Sequence, residues 1–124
     1  MILGIGTDIV EIERISAVLA HHAEHFSDRV FTAAEADQAR GRVSYLAGRW
    51  AAKEAAAKAL GCGIGERCAL TDIEVIDDEA GAPRLSCTAP AAKALADRTR
   101  LRWHVSISHE KAYAVATVIL ESAE

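Results

Sequence analysis

Apolar and polar positions follow two alternating periods along the chain. The opening run "ILGIGTDI" is apolar and loosened by Gly4 and Gly6, which predicts a β-strand. Ile12, Ile15, Val18 and Leu19 then recur at helical spacing, predicting a helix that begins near Val10 or Glu11. Thr32 and Glu35 match a capping box, so a second, short helix should start there. A long third helix is predicted from Val43 to Leu60, with Gly61 placed to end it. Val43, Leu46, Trp50 and Ala57 fall on one stripe of that helix, and Glu54 and Lys58 lie side by side on its border. Farther on, "LTDIEVIDDEAGAPRLSC" alternates around a "DDEAG" turn and predicts a hairpin, while Pro90 suits the first turn of another short helix. "RWHVSISH" and "YAVATVIL" close the chain as two strands joined through "EKA". Helices thus interleave with antiparallel hairpins and not in a strict βαβ repeat. The predicted class is α+β, a small antiparallel sheet packed with a long central helix and shorter helices.

Composition narrows the picture. The 124 residues suit one domain spanning 1–124, with enough chain to bury a core without disulfides. Cys62, Cys68 and Cys87 are odd in number and lack close pairing, which fits reduced thiols. A net charge of −4 argues against a general nucleic-acid surface, so any anionic ligand must be held by a local cluster of cations. No apolar run approaches a membrane span, and "MILGIG" is neither basic nor long enough for a signal peptide. A soluble, cytoplasmic protein is expected.

Three places carry candidate chemistry. In the third helix, alanines at 51, 52, 55, 56 and 57 would let another backbone or a ligand come close, yet Arg49, Lys53, Glu54 and Lys58 are charged. Glu54 and Lys58 as a simple surface pair would contribute only about 0.2 to 0.5 kcal/mol. Asp8 follows a strand with two glycines and could cap the next helix. Asp8 and Glu54 together would instead supply two hard oxygen ligands, and magnesium commonly takes one or two carboxylates with water and substrate phosphates completing its shell. His104, Ser106 and Ser108 should share one face of their strand, while His109 stands at the strand end, where binding groups often sit.

"GIGTDIVEIERI", "RWAAKEAAAKALGCGIG" and "HVSISHEKAYAVATVIL", in that order, resemble the three signature regions of the holo-acyl-carrier-protein synthases, the small phosphopantetheinyl transferases. With the "GAPRL" hairpin, the resemblance covers nearly the whole chain. It implies the phosphopantetheinyl transferase fold and the transfer of 4′-phosphopantetheine from coenzyme A to a serine of apo acyl carrier protein, leaving adenosine 3′,5′-bisphosphate, for fatty acid biosynthesis. It also implies a homotrimer with coenzyme A bound between subunits. Asp8 and Glu54 match the family's magnesium ligands, and Glu54 is the candidate base. Lys58 matches the lysine that contacts the phosphates. Arg49 and His109 match positions that contact the coenzyme A phosphates, Gly61, Gly63 and Gly65 match the glycine-rich loop, and Gly81 and Pro83 match a turn near the nucleotide. Arg14 matches the arginine that docks the acidic carrier, with Arg29 as its extension. His21, His22 and His25 stand where family members often carry more lysine or arginine.

Other readings of the same residues are weaker. "HHAEH" fits H-x-x-E-H, a zinc-peptidase pattern, without an obvious third ligand. "GIGTDI" lacks the third glycine of a dinucleotide fingerprint, and "GCGIG" follows a helix instead of a strand. A noncatalytic module that binds coenzyme A or a carrier has no evident need for two carboxylates beside a phosphate-binding lysine.

Overall fold

The computed structural model describes residues 1–123, with side chains for all of these but 22–24. Strand β1 (Ile2–Glu11) leads into helix α1 (Ile12–Val30), followed by α2 (Ala33–Ala39) and α3 (Val43–Leu60). A 3₁₀ turn (Leu70–Asp72) opens the hairpin of β2 (Ile73–Asp77) and β3 (Pro83–Cys87). Helix α4 (Pro90–Ala96) and the hairpin of β4 (Leu101–His109) and β5 (Tyr113–Ser122) complete the chain. The main sheet runs β1-β5-β4 with both pairings antiparallel, and β2 and β3 form a separate two-stranded ribbon. The α+β class read from the pattern is what the chain adopts.

Several boundaries follow from local chemistry. Thr32 and Glu35 form the expected capping box, the Thr32 hydroxyl accepting from Glu35 N and the Glu35 carboxylate from Thr32 N. Helix α3 ends where expected, at Gly61, whose φ of 81° is left-handed and whose N–H donates to the carbonyls of Ala57 and Lys58. The start of α1 differs from expectation. Val10 and Glu11 pair with Ala114 and Tyr113 of β5, so the strand runs on and the helix begins only at Ile12. Asp8 therefore lies inside β1 and caps nothing.

The expected stripe on α3 is also corrected. Val43, Leu46 and Trp50 are only half-buried, whereas the buried residues, Ala47, Ala51, Ala52, Ala55, Ala56 and Ala59 among them, surround the helix. A helix buried on most of its sides belongs in the middle of a fold. Here β1 crosses it with almost no side-chain layer between. A Cβ added to Gly6 would stand 1.9 Å from the Ala55 carbonyl oxygen, and one added to Gly4 would stand 1.9 Å from that of Ala59. Alanine on the helix and glycine on the strand are two halves of one close approach. On the other flank α1 docks through Ile15 and through Phe26, whose ring stacks on Trp50 at 5.0 Å.

Lys53 is the charge that periodicity leaves unexplained. It is fully buried, and its ammonium uses three acceptors: Glu35 Oε1 at 2.7 Å, Ile73 O at 2.6 Å and Leu70 O at 3.0 Å. Glu35 is buried too, and its Oε2 accepts from Val75 N at 2.8 Å. Burial pulls the Lys53 pKa below its ordinary value, and Glu35 opposes that pull. One ion pair thus ties α3, α2, the 3₁₀ turn and β2 together.

Candidate functional site

Side-chain alternation decides which way Asp8 faces. Gly4 and Gly6 meet α3, so Asp8, two residues on, shares the helix side of β1. Lys58 reaches across from α3, its ammonium donating to Thr7 O at 2.9 Å and to Asp8 Oδ1 at 3.2 Å. Glu54 lies one turn earlier on α3 and is half-buried. Burial pushes its carboxyl above the usual range, the Asp8 charge adds to the rise, and Lys58 opposes it. These acids open onto a cleft of about 460 Å³ between β1, α1, α3 and β5, whose walls include Arg14, Trp50 and Tyr113.

Two neighbouring carboxylates, one with its pKa raised by burial and by the charge of the other, suit a hard divalent cation that would relieve their repulsion. Among the described residues no three His, Cys, Asp or Glu side chains gather to hold a metal. Water and ligand oxygens would have to complete a shell begun by Asp8 and Glu54, which is how magnesium is commonly held.

A second cleft of about 240 Å³ lies between α3, the β2–β3 hairpin and the end of β4. It gathers Arg49, Gly81, Pro83 and His109 from three distant stretches of sequence. Arg49 is only 5% exposed and its guanidinium is held on several sides. Nε donates to Val75 O at 3.1 Å, an Nη pairs with the Asp77 carboxylate, and the plane lies 3.8 Å from the Tyr45 ring centroid. Burial pushes the Tyr45 hydroxyl above its ordinary pKa, against the pull of Arg49, which keeps it a donor. Gly81 turns the hairpin with a φ of 85°. The turn is braced by Asp78, whose carboxylate accepts from Ala80 N, Ala82 N and Arg84.

Residues 4–118 match the family profile of the 4′-phosphopantetheinyl transferase superfamily. The chain belongs to that superfamily. It is 50% identical over 124 residues to the holo-[acyl-carrier-protein] synthase of Shewanella sp. strain MR-4, an alignment that covers 98% of each chain. It also superposes on a holo-(acyl-carrier-protein) synthase from Bacillus anthracis in complex with CoA (3′,5′-ADP), with a TM-score of 0.83 at 41% identity over 99% of both chains. The Helicobacter pylori synthase, solved in complex with coenzyme A, gives a TM-score of 0.86 at 30% identity, covering 94% of this chain and 99% of that one. The architecture is therefore the phosphopantetheinyl transferase fold.

The remaining candidates of this transferase-family chain divide between the two clefts and other ground. Arg14 is exposed at the first cleft, and Arg29 lies in the last turn of the same helix, about 22 Å farther along its axis. Gly61, Gly63 and Gly65 line neither cleft, although Gly61 and Gly63 both take positive φ. His21 and His25 are exposed on α1. The side chains of His22 and Glu24 lie outside the described residues, and with them the "HHAEH" pattern. Sequence reasoning missed Gln38, Tyr45, Asp77 and Trp50. Only Trp50 carried a signal, as a large residue in an alanine helix.

Proposed function

We propose that the protein transfers 4′-phosphopantetheine from coenzyme A to a serine hydroxyl of apo acyl carrier protein, leaving adenosine 3′,5′-bisphosphate, with magnesium held by Asp8 and Glu54. The observation that carries this reading is the meeting of Asp8 and Glu54 at one cleft, from elements far apart in sequence, with Lys58 bonded to Asp8, in a chain so similar to named synthases. The synthase from Helicobacter pylori is described with coenzyme A, which supports the same donor here.

Magnesium bound there would act as a Lewis acid toward the pyrophosphate. Lys58 is half-exposed and, among the described residues, tethered by Asp8 and Thr7 alone, so its ammonium is free to turn to a phosphate oxygen and stabilise the leaving bisphosphate. Glu54, raised above the ordinary carboxyl range, is poised to take the serine proton. Arg49, His109 and the Gly81–Pro83 turn would hold the nucleotide end in the second cleft. Arg14, at the rim of the first cleft, would meet the acidic carrier, with Arg29 extending that contact.

The outward face of the main sheet supports assembly into a homotrimer. Ile5 is 66% exposed and Ile9 61%, and Tyr113 and Val115 stand beside them on β5. Such a face is more apolar than a lone chain usually leaves bare. Sedimentation equilibrium should give three chains per particle, and Ile9→Asp should shift the population toward monomer. No helix among the described residues is long and apolar enough to cross a membrane. A cytoplasmic role in fatty acid biosynthesis is part of this proposal.

The deciding experiment follows the intact mass of an apo acyl carrier protein with the purified protein, coenzyme A and magnesium, against an EDTA control. A gain of one phosphopantetheine that needs magnesium carries the reading. Coenzyme A binding without transfer to several carriers sinks it in favour of a binding module.

Glu54→Gln tests the acid pair in two directions. A carboxyl whose folded pKa is raised stabilises the fold below its unfolded pKa and loses that contribution as pH rises through the folded value. At pH 7 to 8 without metal, the glutamine variant should therefore melt at a higher temperature than the native chain. Transfer should fall by about a hundredfold or more. A lower melting temperature in EDTA would contradict the crowding described here.

A further inference from the structure

Gln38 belongs to neither cleft's chemistry, yet it makes more well-directed bonds than any other neutral side chain near them. Its Oε1 accepts from the Tyr45 hydroxyl at 2.7 Å and from Asp77 N at 2.8 Å, and its Nε2 donates to Asp77 O at 3.1 Å. The amide cannot be turned over, since its NH₂ would then face the Asp77 N–H. It pairs with Asp77 as a neighbouring strand would, on the residue where β2 ends and the hairpin turn begins. Its own carbonyl accepts from Arg42 Nη2 at 2.9 Å.

Both groups that the Gln38 side chain grips also grip Arg49. The Tyr45 ring stacks on the guanidinium at 3.8 Å, and the Asp77 carboxylate pairs with it. Arg42 lies over the same ring at 5.1 Å. A tyrosine ring anchored at its hydroxyl can hold a cation plane in one place, whereas an unanchored ring holds it less firmly. Arg49 lines the second cleft together with Asp77, Gly81 and His109.

We propose that Gln38 is a positioning residue for nucleotide binding: by holding Tyr45 and the end of β2, it fixes the Arg49 guanidinium and the hairpin turn at the second cleft. This rests on the coenzyme A reading given above. Gln38 touches no reacting atom, so its removal should weaken the bound nucleotide without slowing the chemistry. A pre-set guanidinium binds a phosphate with less ordering at the moment of contact.

The test uses Gln38→Met, which keeps the length of the side chain and removes its polar atoms, with Tyr45→Phe as a second variant that loses only the hydroxyl. Adenosine 3′,5′-bisphosphate is titrated into each protein by calorimetry, and kinetics are measured against coenzyme A and against the carrier. Gln38→Met should weaken bisphosphate binding by about tenfold and raise the KM for coenzyme A in step. Its kcat and its KM for the carrier should stay within about twofold of native. Tyr45→Phe should show part of the same loss, and the double variant little more than Gln38→Met alone, because both cut one link. A Gln38→Met protein that melts earlier yet binds the bisphosphate as the native chain does would overturn the positioning role and leave Gln38 a brace of the fold. If the native protein itself fails to bind the bisphosphate, the coenzyme A reading falls and the role of Gln38 falls with it.

Discussion

Asp8→Ala should lower the rate of carrier modification by about a hundredfold to a thousandfold, the scale of losing a principal electrostatic group at a phosphoryl centre. It should do so with little loss of stability. Among the described residues the Asp8 carboxylate has one partner, Lys58, whose side chain is 51% exposed, and such pairs contribute about 0 to 1 kcal/mol. A time course of the carrier's intact mass measures the first effect, and a urea titration the second. The variant should also lose most of the native protein's response to magnesium. Undiminished transfer by Asp8→Ala would remove Asp8 from the catalytic centre, however well it is placed.

Glu35→Gln is expected to be the most damaging conservative change to the fold. It leaves the Lys53 ammonium buried with two carbonyls and no paired carboxylate, only the more distant charge of Glu74, a situation that costs about 3 to 5 kcal/mol. The pH dependence distinguishes this cause from simple loss of packing. Lys53 has a lowered pKa in the folded protein, so from that value up to the free-lysine value of about 10.4 the unfolded chain binds the extra proton. Stability should therefore climb as pH rises through that window. The climb should be steeper in the variant, which lacks the main charge that opposes the lowering. Chemical denaturation at pH 7 and pH 9.5 would show it, and a variant equally weak at both would mean that Lys53 is not the source. Replacing both partners, as in Glu35→Leu with Lys53→Met, should recover much of the loss.

What could be read beforehand was what local chemistry settles. The capping box at Thr32, the glycine stop at Gly61, the "DDEAG" turn and the proline at the start of α4 each depend on residues within one turn of each other. Where distant segments decide, reading ahead failed. Val10 and Glu11 have a helix beside them in sequence, but β5 pairs with them across more than a hundred residues and keeps them extended. The burial of α3 on most of its sides could not be seen because alanine leaves no periodic contrast between inside and outside. Nothing near Lys53 in sequence marks it as buried, because its partners, Glu35 and the carbonyls of Leu70 and Ile73, come from other elements. Asp8, Glu54 and Lys58 were legible as types of residue, and only the strand-to-helix crossing puts them together. Gln38 and Tyr45 had no signal at all, since their bonds join three elements that sequence spacing does not relate.

Where β1 crosses α3, the two sides have little freedom to change independently over generations. Gly4 and Gly6 are already the smallest residues available, and Ala59 and Ala55 meet them with main-chain oxygens that no substitution can trim. Enlarging either glycine therefore has no compensating mutation on the opposite wall, only a displacement of the whole strand. That displacement would carry Asp8 away from Glu54. Descendants of this sequence should then keep Gly4 and Gly6 fixed for as long as the acid pair is under selection.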